Sequence, residues 1–144
     1  MTDIDFYIVS APHGQEREKF ACRLTEKIYR LGHRIHIHTD SADHAARLDD
    51  LLWTYRDGSF VPHGLQQNAD DDLQFPVVIG HDGEPGDSAE ILINLARDVP
   101  LFFSRFERVA EIITDDESQK TAGRERFRFY RDRGYPLKTH SIAG

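Results

Sequence analysis

The sequence predicts a three-layer α/β/α domain with a largely parallel sheet. Short apolar runs of strand type alternate with segments of helical periodicity, giving β-α-β-α within the first 56 residues. Strands separated by helices favour parallel pairing, because the crossover helices then cover the faces of the sheet. With 144 residues and 39% hydrophobic residues there is material for one modest core, so residues 1–144 read as a single domain.

Each element follows from its pattern. Ile4-Asp5-Phe6-Tyr7-Ile8-Val9 is a nearly continuous apolar run, as expected of a strand covered on both faces. Phe20, Leu24, Ile28 and Leu31 recur at helical spacing, and Gly32 directly after them suits a helix C-terminal cap. Arg34 to His38 alternates with period two and reads as a second strand. Ser41 is placed to cap a helix carrying Ala45, Leu48, Leu51, Leu52 and Tyr55 on one face. Residues 57–74 read as loop, through Asp57-Gly58, Pro62, Gly64 and the triplet Asp70-Asp71-Asp72. Phe75 to Ile79 is a third strand with its proline at the start or on an edge, and residues 81–87 are turn chemistry. Glu90 to Leu95 is a fourth strand, and a short segment around Leu101-Phe102-Phe103 leads to a fifth, Val109 to Ile113. A last helix, about Ser118 to Arg133, stops at Gly134.

Charge narrows the function. The 18 Lys and Arg against 25 Asp and Glu give a net charge of −7, which excludes a globally basic nucleic-acid coat protein but not a local basic site. No run approaches the roughly 18 apolar residues of a membrane span. The acidic start Met1-Thr2-Asp3-Ile4-Asp5 is unlike a signal peptide, and the single Cys22 fits a reducing compartment without a disulfide framework. These features predict a soluble, cytoplasmic protein that does not engage a membrane. Positive charge is gathered at the end: residues 1–100 hold 9 basic and 18 acidic groups, whereas residues 119–138 hold 7 basic and 2 acidic.

Catalytic and cofactor chemistry finds little support, so no cofactor, metal or catalytic residue is expected. The turn Ser10-Ala11-Pro12-His13-Gly14-Gln15-Glu16 has one glycine and lacks both glycine-rich phosphate-binding arrangements. His33, His36 and His38, with Asp40 beyond, resemble metal ligands. They lack the accompanying Cys-x-x-Cys or His-Glu-x-x-His, and a solvated or lightly packed strand face is the simpler expectation. Cys22 falls about 200° around its helix from Phe20, away from the centre of the apolar face, with no cationic pocket to activate it. The clusters Asp49-Asp50 and Asp70-Asp71-Asp72 read as a solvated helix face and a polar loop.

Two constellations remain. On the last helix Lys120, Arg124, Phe127, Arg128 and Arg131 fall within about a 100° arc, one aromatic among four cations. This is either a solvated basic face whose Phe127 packs inward, or a pocket for an anion with an apolar part. An acidic peptide and single-stranded nucleic acid would both satisfy the second reading. The other constellation is Leu51-Leu52-Trp53-Thr54-Tyr55 followed by Phe60-Val61-Pro62-His63. Here the only tryptophan either caps the core or anchors a partner.

Taken together these segments resemble the chi subunit family of bacterial DNA polymerase III holoenzyme. The resemblance rests on the Phe6-Tyr7 strand, Arg47-Leu48-Asp49-Asp50-Leu51-Leu52-Trp53, Ser59-Phe60-Val61-Pro62-His63, Ile91 to Leu95, and Arg124 to Arg131 with Gly134-Tyr135. It implies a Rossmann-like fold without a nucleotide site and a non-catalytic clamp-loader accessory subunit. Polymerase activity would belong to the complex. The implied partners are the psi subunit, through it the clamp loader, and the acidic, phenylalanine-ended C-terminal tail of single-stranded DNA-binding protein, with DNA met mainly indirectly. The family's tail-pocket positions match Lys120, Arg124, Phe127, Arg128 and the apolar wall Ile113. Phe127 stands where tyrosine is also used. Trp53, Phe60, Val61 and Pro62 fall in the part that faces psi. The alternative is direct single-stranded DNA binding by the same basic C-terminal helix.

Overall fold

The computed structural model describes residues 1–10, 15–67, 74–86 and 89–142. In chain order these form β1 (Asp3–Val9), α1 (Glu16–Arg30), β2 (Ile35–His38), α2 (Ala42–Thr54), β3 (His63–Leu65), β4 (Val77–Gly80), β5 (Ile91–Asn94), β6 (Arg108–Thr114), α3 (Glu117–Asp132) and β7 (Leu137–Ile142). A short 3-10 turn, Phe103–Arg105, lies between β5 and β6. The seven described strands make one parallel sheet in the order β3-β4-β2-β5-β6-β1-β7. This is the three-layer α/β/α architecture that the periodicity predicts.

Alternation along the strands divides the core in two. Val9, Ile35, Ile37, Val77, Ile79, Ile91, Ile93 and Ile112 face α1 and α2, meeting Phe20, Leu24, Leu48 and Leu52. Ile4, Phe6, Leu92 and Val109 face the other way, against Phe103, Phe106 and the Tyr130 ring of α3. On β1 the buried Asp5, 3% exposed, accepts from Arg108 and lies 3.0 Å from Nε2 of His140. The helix ends follow expectation. The Ser41 hydroxyl accepts from the His44 amide at 3.1 Å, and Gly32 (φ 92°) and Gly134 (φ 79°) take the left-handed conformation that ends α1 and α3.

Several expectations need correcting. Two strands were not anticipated. β3 lies inside the stretch that reads as loop, and β7 lies beyond Gly134, pairing with β1 over Leu137 to Ile142. Leu31 is 67% exposed and does not continue the apolar stripe of α1, because the helix has already ended at Arg30. Cys22 is fully buried, since α1 is covered by both the sheet and α2, and burial pushes its thiol up to about 12. Positions 11–14 of the turn after β1 and the Asp70-Asp71-Asp72 triplet lie outside the described residues.

Candidate protein-interaction site

The end of β6 and the start of α3 are joined by side chains. Asp116 caps α3, accepting from the Gln119 amide at 2.9 Å and from the Thr114 hydroxyl at 2.6 Å, and these bonds lower its pKa. One turn further on, Gly123 lies so close to β6 that a Cβ there would stand 2.9 Å from Cγ2 of Ile113. Only glycine allows this approach without displacement. Deeper in the layer, the wholly buried Glu111 of β6 receives Arg126 Nε at 2.8 Å, the Tyr130 hydroxyl at 2.7 Å and the Asn94 amide at 3.0 Å. Arg126 also donates to the Arg97 carbonyl at 3.0 Å. Helix α3 is thus fixed in rotation as well as position, and Arg126 is committed inward.

The outward side carries the basic arc. Phe127 is half-buried, with its ring edge-on to Phe6 at 5.3 Å between centroids. Phe127 thus packs inward and still presents surface. Lys120 is half-buried, Arg124 and Arg128 are exposed, and none of the three has an acidic partner among the described residues. Arg131 is drawn aside to Asp132 at 3.3 Å. Ile113 lies beneath, 7% exposed, and its register partner on β1 is the half-buried Ile8. On the same sheet face β7 offers Thr139 and Ser141, in register with Phe6 and Ile8. Ile8 and the β7 hydroxyls were missed by sequence reasoning; the Phe6/Ile8 alternation was the available signal for Ile8. The arrangement combines apolar side chains with cations that have no acidic partner among the described residues, chemistry suited to an acidic segment ending in an apolar group. Surface cavities of about 430 and 270 Å³ lie beside α1, and one of about 500 Å³ lies between Met1–Asp3 and Ser104–Glu107.

The second constellation is also assembled. Trp53 and Phe60 are 48% and 63% exposed, their rings 5.6 Å apart, and Trp53 lies 4.4 Å from the ring of His63. Trp53 therefore does not merely cap the core. Val61 is 1% exposed and supports the patch from below, while Pro62 is half-buried. His63 is held by Asp49, whose carboxylate lies 3.1 Å from Nε2, so Asp49 is not a purely solvated acid. The turn joining Trp53 to Phe60 is clamped on Glu26 of α1. Its carboxylate accepts from the Tyr55 hydroxyl, from Ser59 at 2.8 Å, from Arg56 at 2.7 and 2.8 Å, and from Arg30 at 2.8 Å. These bonds, the Tyr55 hydroxyl first, hold Glu26 down at about 2.

The remaining candidates behave differently. His36 is fully buried and edge-on to Phe102 at 5.8 Å, and His38 meets the same ring at 5.3 Å, which corrects the solvated-face expectation. Burial, then the neighbouring His36, pushes His38 down to about 4. His33 turns away to Glu90 at 3.2 Å. Among the described residues no group of three or more His, Cys, Asp or Glu could hold a metal ion, and no helix is long and apolar enough to cross a membrane. At the C-terminal ends of β5 and β6, on the strand edge where α/β sheets commonly hold ligands, Arg17 donates to the Leu95 and Ile112 carbonyls at 2.9 Å each.

The family model described as DNA polymerase III chi subunit, HolC, matches residues 1–138. The chain belongs to the DNA polymerase III chi subunit family. Among its curated relatives, the DNA polymerase III subunit chi of Pseudomonas aeruginosa is 38% identical over 142 residues, covering 99% of this chain and 98% of that one. The chi subunit of Haemophilus influenzae is 30% identical and covers 95% of both chains, and that of Escherichia coli is 32% identical over 85% of this chain and 83% of its own. A solved structure, that of T4 UvsW, superposes with a TM-score of 0.67 at 10% identity, over 99% of this chain and 42% of that one. This last likeness concerns the fold alone. Membership of the chi family assigns the chain to the polymerase III accessory proteins.

Proposed function

We propose that this chi-family chain is a non-catalytic clamp-loader accessory subunit acting in the cytoplasm as one domain. It joins psi, and through psi the clamp loader, to the acidic C-terminal tail of single-stranded DNA-binding protein. The observation that carries the reading is the half-buried Phe127, packed on Phe6 one turn along α3 from the Gly123–Ile113 approach, with Lys120, Arg124 and Arg128 on the same helix and without acidic partners among the described residues. A tail ending in phenylalanine offers a ring for the apolar floor and carboxylates for the cations. The exposed Trp53–Phe60 pair, held by Glu26 and separate from α3, supports a second, apolar interface for psi. Neither role needs a nucleophile, a metal or a cofactor.

The test is fluorescence anisotropy with a labelled tail peptide and the same peptide lacking its last Phe. Charge-assisted hydrogen bonds contribute ~1.5–3 kcal/mol each, so Arg128→Ala should weaken binding about tenfold to a hundredfold. Affinity should fall with added salt while the ring's contribution persists. Equal binding of the two peptides would refute the pocket. In that event an oligonucleotide that needs Arg124 and Arg128 would point to direct DNA binding by α3.

A further inference from the structure

Helix α1 has a surface that the proposed function does not use. Four of its residues are exposed, Lys19, Arg23, Lys27 and Arg30, and all four are cations. The exposed residues of α3, by contrast, include Glu117, Glu125 and Asp132 beside its arginines. In a chain of net charge −7 this concentration is against composition. The four residues recur at steps of 4, 4 and 3, so they lie in one row along the helix. Each four-residue step rises about 6 Å, and the row runs for about 16 Å. Lys19, Arg23 and Lys27 have no acidic partner among the described residues; Arg23 only overlies the Phe20 ring at 5.5 Å. Arg30 and Arg56 share the single carboxylate of Glu26, which leaves one further net positive charge at that end.

Beside the first two cations is a cavity of about 270 Å³ lined by Val9, Glu16, Lys19, Arg23, Tyr55 and Arg56. Val9 and the side of the Tyr55 ring give it an apolar floor. Protein interfaces are organised around buried apolar or aromatic anchors, and the exposed row on α1 has none. Regularly spaced charges next to a flat apolar recess suit a strand with regularly spaced phosphates and unstacked bases. We infer that α1 is a binding track for the backbone of single-stranded nucleic acid. It lies on the sheet face opposite α3, as the two core clusters require, so strand and peptide tail do not compete.

The binding is electrostatic and therefore salt-dependent. For single strands each neutralised phosphate contributes about −0.7 to the slope of log K against log salt, so four contacting cations, Lys19, Arg23, Lys27 and one of the Arg30/Arg56 pair, give a slope of about −2.8. The experiment measures anisotropy of a labelled oligothymidylate with the full chain across about 50–200 mM salt, where this slope means about a fiftyfold loss. The triple variant Lys19→Ala/Arg23→Ala/Lys27→Ala should bring the slope to about −0.7. Its melting temperature and tail-peptide affinity should stay at wild-type values, since exposed substitutions rarely move stability by more than about 0.5 kcal/mol. Arg124→Ala/Arg128→Ala should leave the slope unchanged. The inference is overturned if the wild-type chain shows no salt-dependent binding, if the triple variant keeps the full slope, or if the α3 variant loses it instead. It is also overturned if polyglutamate of equal charge displaces the strand as well as unlabelled oligothymidylate does, because the occupant would then be an acidic protein segment.

Discussion

Arg126→Met tests how α3 is held. The substitution removes one donor at 2.8 Å from Glu111, a carboxylate with no solvent exposure, and leaves it only the Tyr130 hydroxyl and the Asn94 amide. Water cannot replace the lost partner, because Glu111 lies beneath α3 between β5 and β1. Breaking a buried pair on one side costs ~3–5 kcal/mol, mostly through the charge left behind. At the usual unfolding entropy per residue, a chain of 144 residues should lose about 10–17 °C in melting temperature. Adding Glu111→Gln removes the stranded charge and keeps an oxygen for Tyr130. The double variant should therefore be more stable than Arg126→Met alone, a coupling of ~2 kcal/mol or more in a double-mutant cycle. Urea unfolding of the four proteins, with slopes compared to verify two-state behaviour, measures it. A cost below ~1 kcal/mol for Arg126→Met, or additive single effects, would refute the view that this pair anchors the helix.

Three further outcomes follow from the same structure. Gly123→Ala gains ~1 kcal/mol of helix propensity but drives a Cβ to 2.9 Å from Ile113, at an overpacking cost of ~1–3 kcal/mol. A net loss by urea unfolding should accompany a severalfold weaker tail affinity. Trp53→Ala removes a side chain that is 48% exposed, so it should cost less than the ~3–5 kcal/mol of a buried tryptophan while abolishing psi co-purification. His38 is held at about 4 against an ordinary 6.5, so the unfolded chain takes up its proton first as pH falls. Stability should decline from about pH 6.5 towards 4, and His38→Gln should flatten the melting-temperature profile above about pH 5.5, before Glu26, whose ordinary value is 4.5, begins to titrate in the unfolded chain.

The strands and helices with strong periodicity were legible because each buries a regular stripe: Ile4 to Val9, Ile35 to Ile37 and Ile91 to Ile93 all read directly as sheet. β3 was not, since its three residues include Gly64 and follow Pro62, both turn signals, and its strand character comes from pairing with β4. β7 does alternate, but as an edge strand it is only half-buried, and its apolar pattern is thin. The basic arc and the Trp53 patch were legible as patterns, whereas the division of labour among the arginines was not. Arg126 looks like one more cation on a basic helix. Only the fold brings Glu111 under it, 15 residues away in sequence.

That division shows why a basic helix here is a shaped site and not only a charged one. On α3 the arginines at 124 and 128 and the one at 126 differ by about 160–200° of helical phase. The inward Arg126, through Nε on Glu111 and Nη1 on the Arg97 carbonyl, sets the rotation of α3, and the rotation sets where Arg124 and Arg128 point. Phe127 is locked in the same way by its contact with Phe6, so its exposed edge is presented in one orientation. A ligand meeting this surface orders little of the protein, and less of the binding energy is lost to immobilising side chains. Helix α1 has the cations without the locked aromatic among them, and the strand proposed for it needs charge spacing more than shape. Under the two proposals the same residue type supports two kinds of recognition, separated by the sheet, according to whether an aromatic edge and a fixed helix phase accompany it.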